Sequence, residues 1–151
     1  MQSDKRFTIL MVEDDHDDRH ITESFFKEKG YNVDLQFLDN SDEVIGFLED
    51  CGIEGKFPSL ILLDLNLPRK NGYEVLKELK THSQFHVIPV VIISGTAYPE
   101  EVKECYRLGA NSFIQKPFTD QLTQKKIEIF VNYWFEITEL PEVQSHTNIA
   151  L

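Results

Sequence analysis

Five short apolar runs recur along this chain, and after each the pattern changes to that of an amphipathic helix. The runs are Phe7 to Glu13, Asn32 to Leu38, Ser59 to Asp64, Val87 to Ser94 and the brief Ser112 to Gln115. Each is short and bounded by turn residues, as buried strands are. The segments between them carry apolar residues at helical spacing. Ile21, Phe25 and Phe26 share a face of 16–29, which Gly30 ends. Val44, Ile45, Phe47 and Leu48 do so within 41–50, and Tyr73, Val75, Leu76 and Leu79 within 72–82. A fourth helix, 99–108, opens on Pro99 and stops before Gly109; a fifth runs from Thr119 to about Glu139. Residues 51–58 read as a loop. Parallel neighbours need a crossover, so the alternation predicts an α/β fold: a doubly wound parallel sheet of five strands, covered on both faces. A chain of 151 residues is one such domain. It is expected to span 1–140, with 141–151 a flexible tail. No G-x-G-x-x-G follows the first strand, which argues against half of a dinucleotide-binding fold.

The formal net charge of −11 narrows the partners. Such a surface repels polyanions, so neither nucleic acid nor an anionic membrane is expected to bind it. No apolar run approaches the roughly 18–20 residues of a membrane span. Acidic residues interrupt the N-terminus before it attains the apolar length of a secretory signal, and a cytoplasmic location is expected. Cys51 and Cys105 lack metal-ligand spacing and read as reduced, part-buried thiols. The five histidines are scattered, and His16 beside the acidic run is expected to be solvated.

A parallel sheet delivers every strand's carboxyl end to one rim, where open α/β folds carry their sites. The first strand ends in Glu13, Asp14 and Asp15; the third in Asp64, directly after the apolar Leu60 to Leu63; the fourth in Ser94; the fifth leads into Lys116 and Pro117. Any one of these has an ordinary explanation. An acidic run favours a helix N-terminus, a serine makes turns, and a lysine before proline is usually solvated. Together they place carboxylates, a hydroxyl and an ammonium on one rim. Converging carboxylates repel one another unless a cation joins them. The donors are all oxygen, so the expected ion is hard, with Mg²⁺ the natural choice. Aspartyl phosphate formation needs that set: Asp64 attacks, while Mg²⁺ and Lys116 neutralise charge on the transferring phosphoryl group.

These residues resemble the response-regulator receiver domain of two-component signalling over about residues 6–120. Glu13 and Asp14 match the family's acidic pair and Asp64 its phosphoacceptor. Asn66 matches the residue whose carbonyl joins the metal shell, Ser94 the hydroxyl switch, Lys116 the lysine, and Phe113 the aromatic switch. The 30 residues from Asp64 to Ser94 and the 22 from Ser94 to Lys116 equal the spacings of compact chemotaxis receivers. The resemblance implies a flavodoxin-like (βα)5 fold with strand order 2-1-3-4-5. It implies Mg²⁺ held by Asp14, Asp64 and the Asn66 carbonyl, with Glu13 acting mostly through water. It implies phosphoryl transfer from a sensor histidine kinase, or a hybrid kinase or phosphotransfer protein, onto Asp64. Ser94 and Lys116 would bond the phosphoryl oxygens, and Ser94 with Phe113 would carry the switch. The Lys116–Pro117 bond is one the family often shows as cis. Two departures are local. Gly95 stands where many receivers have alanine, leaving the phosphoryl group more open to water, and phenylalanine at 113 lacks a hydroxyl.

Two other functions compete. A Mg²⁺-dependent phosphohydrolase typically wants a second aspartate two residues past its nucleophile, and Asn66 there cannot transfer a proton. A pseudo-receiver that only binds partners has no need of Glu13, Asp14, Asp64, Ser94 and Lys116 together. A phosphoacceptor that promotes its own phosphorylation, rather than a dedicated enzyme, is the better reading. No output domain is expected in the thirty-odd residues after Pro117. The final helix resembles the ending of small stand-alone receivers that work with phytochrome-type and hybrid sensor kinases. Ile127, Phe130, Val131 and Trp134 form an apolar stripe on it, widened by Tyr133 and Ile137. That stripe is expected to overhang the domain and to form a homodimer interface.

Overall fold

The computed structural model describes residues 6–67, 70–117 and 119–143. Pro68 of the Asp64 motif and most of the expected tail, 144–151, lie outside the described residues.

The strands are β1 (Phe7–Val12), β2 (Val33–Leu38), β3 (Leu60–Asp64), β4 (Val90–Ser94) and β5 (Ser112–Gln115). They form one sheet in the order β2-β1-β3-β4-β5, every neighbouring pair parallel. The helices are α1 (His16–Lys29), α2 (Val44–Glu54), α3 (Gly72–Thr81), α4 (Pro99–Arg107) and α5 (Asp120–Val131). This is the flavodoxin-like (βα)5 order that the resemblance implies.

Strand side chains alternate between two cores. Leu10, Val12, Ile61, Leu63, Val90 and Ile92 face α2, α3 and α4, where Leu48, Leu76 and Leu79 meet them. Ile9, Met11, Leu60, Leu62 and Val91 face α1 and α5, against Phe26, Phe130 and Val131. β3 is buried along its whole length, which is why its residues read as an unbroken apolar run.

Three boundaries differ from the sequence expectation. The segment 41–50 is not one helix: Asn40 caps a 3-10 turn over Ser41–Glu43. α2 follows and runs on to Glu54, through residues read as loop, with the Phe57 ring packed on Gly52 and Gly55 as the stop. β4 begins at Val90 rather than Val87, because Pro89 has no N–H for the ladder. The Pro89 carbonyl instead accepts from Ile61 at 2.9 Å. The last helix is not continuous to Glu139; a π-helical turn over Asn132–Ile137 follows α5.

The overhanging stripe is corrected by the packing. Phe130, Val131 and Trp134 are buried on the α1/α5 face and Ile127 packs against them, so these four belong to the domain's own core. The reason is that the chain supplies its own partner: the Phe7 ring of β1 lies 4.3 Å from Phe135, and Phe130 meets Phe135 edge-on. What the helix leaves exposed is its outer side, Leu122, Ile129, Tyr133 and Ile137. Past the turn, Leu140 still packs on the α1/α5 core, whereas Val143 packs on the opposite one. No peptide bond among the described residues is cis, Lys116–Pro117 included.

Candidate phosphoacceptor site

Alternation along the strands decides which rim residues meet. Glu13 is in phase with Ile9 and Met11, Asp64 with Leu60 and Leu62, and Lys116 with Ile114. All three therefore turn to the side that α1 and α5 cover. α1 begins at the same rim: Asp15 caps it, its Oδ1 accepting from the backbone N–H of Asp17 at 2.9 Å and of Asp18 at 3.1 Å.

Lys116 ties the rim together. Its Nζ donates to Glu13 Oε2 at 2.8 Å, to Asp64 Oδ2 at 3.0 Å and to Asp18 Oδ2 at 3.1 Å. Glu13 and Asp64 are buried, Lys116 is half-buried and Asp14 is exposed. Burial pulls the Lys116 ammonium toward deprotonation, but its bonds to Glu13 and Asp64 outweigh that and hold it protonated beyond the usual lysine range. Burial and the adjoining Asp64 carboxylate push Glu13 up to about 7, against the opposing pull of Lys116 and of the Asp15 N–H. One ammonium does not balance this many carboxylates.

A cation would. Glu13, Asp14 and Asp64 each offer a carboxylate oxygen, and these lie within 4.8 Å of one another. The donors are hard oxygens with one exposed ligand facing solvent, which suits a divalent ion that keeps part of its water shell. The Asp64 carboxylate is held for the purpose: its Oδ1 accepts the backbone N–H of Asn66 at 2.9 Å, leaving Oδ2 to Lys116.

Behind Asp64 stands Gly72, the first residue of α3. A Cβ there would lie 2.7 Å from both the Asp64 carbonyl oxygen and the Leu65 Cα. Glycine lets α3 start directly beneath β3, with Asn71 capping the helix and Gly72 N–H donating to the Leu65 carbonyl at 3.1 Å. The buried Ser41 hydroxyl accepts from Lys70 N–H and ties the same loop to the start of the α2 segment.

Ser94 and Phe113 take the other phase. Ser94 ends β4 fully buried, its Oγ accepting the Thr96 N–H at 3.3 Å, and the Thr96 hydroxyl donates to Glu101 in α4 at 3.1 Å. Phe113 sits in β5 opposite Ile92 and packs with the core facing α2, α3 and α4. The structure thus joins Glu13, Asp14, Asp64, Asn66 and Lys116 in one cluster, and sets Ser94 at the end of β4, which leads into α4, and Phe113 on β5, which follows it.

A family model for the response regulator receiver domain matches residues 9–128. The chain belongs to the response-regulator receiver family. This receiver is 32% identical over 135 residues to the response regulator Rcp1 of Synechocystis, a match covering 88% of this chain and 92% of Rcp1. The crystal structure of the Mn²⁺-bound form of Rcp1 superposes with a TM-score of 0.80, covering 89% of this receiver and 99% of that chain. The phosphorylated cyanobacterial phytochrome response regulator RcpA, 27% identical, gives 0.83 over 91% of this receiver and 99% of that chain. No helix among the described residues of the receiver is long and apolar enough to cross a membrane.

Two participants escaped the sequence reading. Asp18, the third acceptor of Lys116, is one of the acidic residues in the first turn of α1, and nothing in its spacing from the strand ends marks it. Gly72 appeared as a helix boundary; its close approach to Asp64 needs the packed loop to be seen.

Proposed function

We propose that the chain is a stand-alone response regulator that takes a phosphoryl group from a phosphohistidine onto Asp64, in a Mg²⁺-dependent reaction. The observation that carries this reading is the Asp64 carboxylate, oriented by the Asn66 N–H and paired with Lys116 at 3.0 Å. In the transfer, an Asp64 oxygen forms the new O–P bond as the N–P bond breaks, and the imidazole leaves with its electron pair. Lys116 offers fixed positive charge to the phosphoryl oxygens, and the backbone around Asn66 and Gly72 keeps the nucleophile from turning away. Mg²⁺ would be held by Asp14, Asp64 and the Asn66 carbonyl, with Glu13 acting mostly through water, and would supply further neutralisation of that charge. Ser94 then bonds a phosphoryl oxygen, and its inward turn with Phe113 alters the α4–β5–α5 face read by a protein partner. The chain is a cytoplasmic phosphoacceptor, not a dedicated catalyst. Its phosphoryl donor is a sensor histidine kinase, a hybrid kinase or a phosphotransfer protein. The similarity to Rcp1 over most of that protein's length supports a receiver that signals by contact. It also forms a homodimer, through the outer side of α5 and the π-helical turn rather than through the buried stripe.

Intact mass after incubation with Mg²⁺ and a small acyl phosphate tests the central step. A single phosphoryl adduct is expected, absent in Asp64→Asn and with EDTA. Turnover to free phosphate without an adduct would favour a hydrolase, and neither adduct nor metal affinity would leave a binding module.

A further inference from the structure

An ammonium has three protons, and Lys116 Nζ spends its three on Glu13, Asp64 and Asp18. For Lys116 to bond a phosphoryl oxygen, one carboxylate must give way. Glu13 is fully buried and also accepts the Asp15 N–H at 3.0 Å, so releasing it would strand a carboxylate away from water. Asp64 is buried and held by Asn66; taking the phosphoryl group neutralises its carboxylate, so its hold on Lys116 weakens without a second anion being released. Asp18 differs: its carboxylate is 39% exposed, and water can take over its bond at small cost. Its place in the helix does not depend on that bond, since its N–H is capped by Asp15 and its carbonyl accepts the Thr22 hydroxyl at 3.0 Å.

We propose that Asp18 is a positioning residue that competes with the phosphoryl group for Lys116. It holds the lysine over the rim in the resting state and yields it on phosphorylation, so its charge sets how tightly the phosphorylated state is held. This rests on the phosphoacceptor reading. Two physical effects act in the same direction. The Asp18 carboxylate competes for the protons that Lys116 turns toward the phosphoryl oxygens, and its charge remains beside an incoming anion.

The test is the affinity of beryllofluoride, a stand-in for the phosphoryl group, measured by calorimetry at saturating Mg²⁺. Asp18→Asn is expected to bind about fivefold more tightly than wild type, the scale of one half-exposed ion pair. Asp18→Glu, which keeps the charge, should stay close to wild type. The gain should shrink as salt is raised, because the competition is electrostatic; a role confined to helix stability would not show that dependence. Asp18→Ser removes the same charge at a position serine tolerates in a first helical turn, and must show the same gain. Equal or weaker binding by both neutral variants, with wild type binding normally, overturns the role of Asp18 alone. A wild-type protein that melts cooperatively yet binds no beryllofluoride overturns the phosphoacceptor reading, and this role with it.

Discussion

Glu13 is the residue whose ionisation the fold resists. Its folded value of about 7 lies above its ordinary 4.5, so the folded state holds this proton more tightly than the unfolded chain. The contribution to stability is therefore complete below about pH 4.5 and is lost as pH rises through about 7. In the metal-free protein the loss should be on the order of 2 kcal/mol. Urea melts between pH 5 and 8 should show Glu13→Gln losing less stability with rising pH than wild type. Saturating Mg²⁺ should remove most of the difference, because a cation favours the ionised form. Parallel slopes for the two proteins would refute the assignment. Glu13, Asp64 and Lys116 were legible in the sequence because strand ends in a parallel sheet share a rim, and period two fixes which side chains share a face. Asp18 was not, because its meeting with Lys116 depends on how the first turn of α1 approaches the residue after β5, which no local pattern encodes.

At the scale of elements, the junction between β3 and α3 carries the most constraint per residue. Alanine at Gly72 would press its Cβ into the Asp64 carbonyl and Leu65 backbone, neither of which can move without shifting the Asp64 side chain. Gly72→Ala should cost about 2 kcal/mol or more and slow phosphorylation by an acyl phosphate. Gly46, inside α2 with nothing within 4 Å of its would-be Cβ, makes the contrast. Gly46→Ala should stabilise by about 0.5–1 kcal/mol and leave phosphorylation unchanged. Thermal melts and phosphorylation time courses decide; equal effects of the two substitutions would show that the loop has slack. The same element scale explains what the sequence pattern misplaced. The helix face 127–135 announced burial, but an apolar stripe does not say what covers it, and here Phe7 and the α1/α5 core do.

For the whole molecule, that burial changes how self-association must be tested. Removing the chain from Lys126 onward would strip Phe130, Val131, Trp134 and Phe135 from the core, so a truncated protein would report unfolding rather than an interface. The surface that remains available is narrower: Ile129, Tyr133 and Ile137, 58%, 51% and 72% exposed, with Leu122 toward the start of α5. Four side chains alone fall short of the roughly 800 Å² per partner of a standard interface. A homodimer formed through this surface should therefore be weak and concentration-dependent, shifting by mass action across the micromolar range. Sedimentation equilibrium should show an average mass rising from the 17.6 kDa of one chain toward twice that value as concentration increases. Ile129→Lys with Ile137→Lys should keep the protein monomeric at every concentration, with melting little changed because both side chains already face water. A wild type that stays monomeric would remove the dimer. A variant that still associates would move the interface to another face, the exposed Tyr98 and Tyr106 of the α4 side being the next apolar surface available.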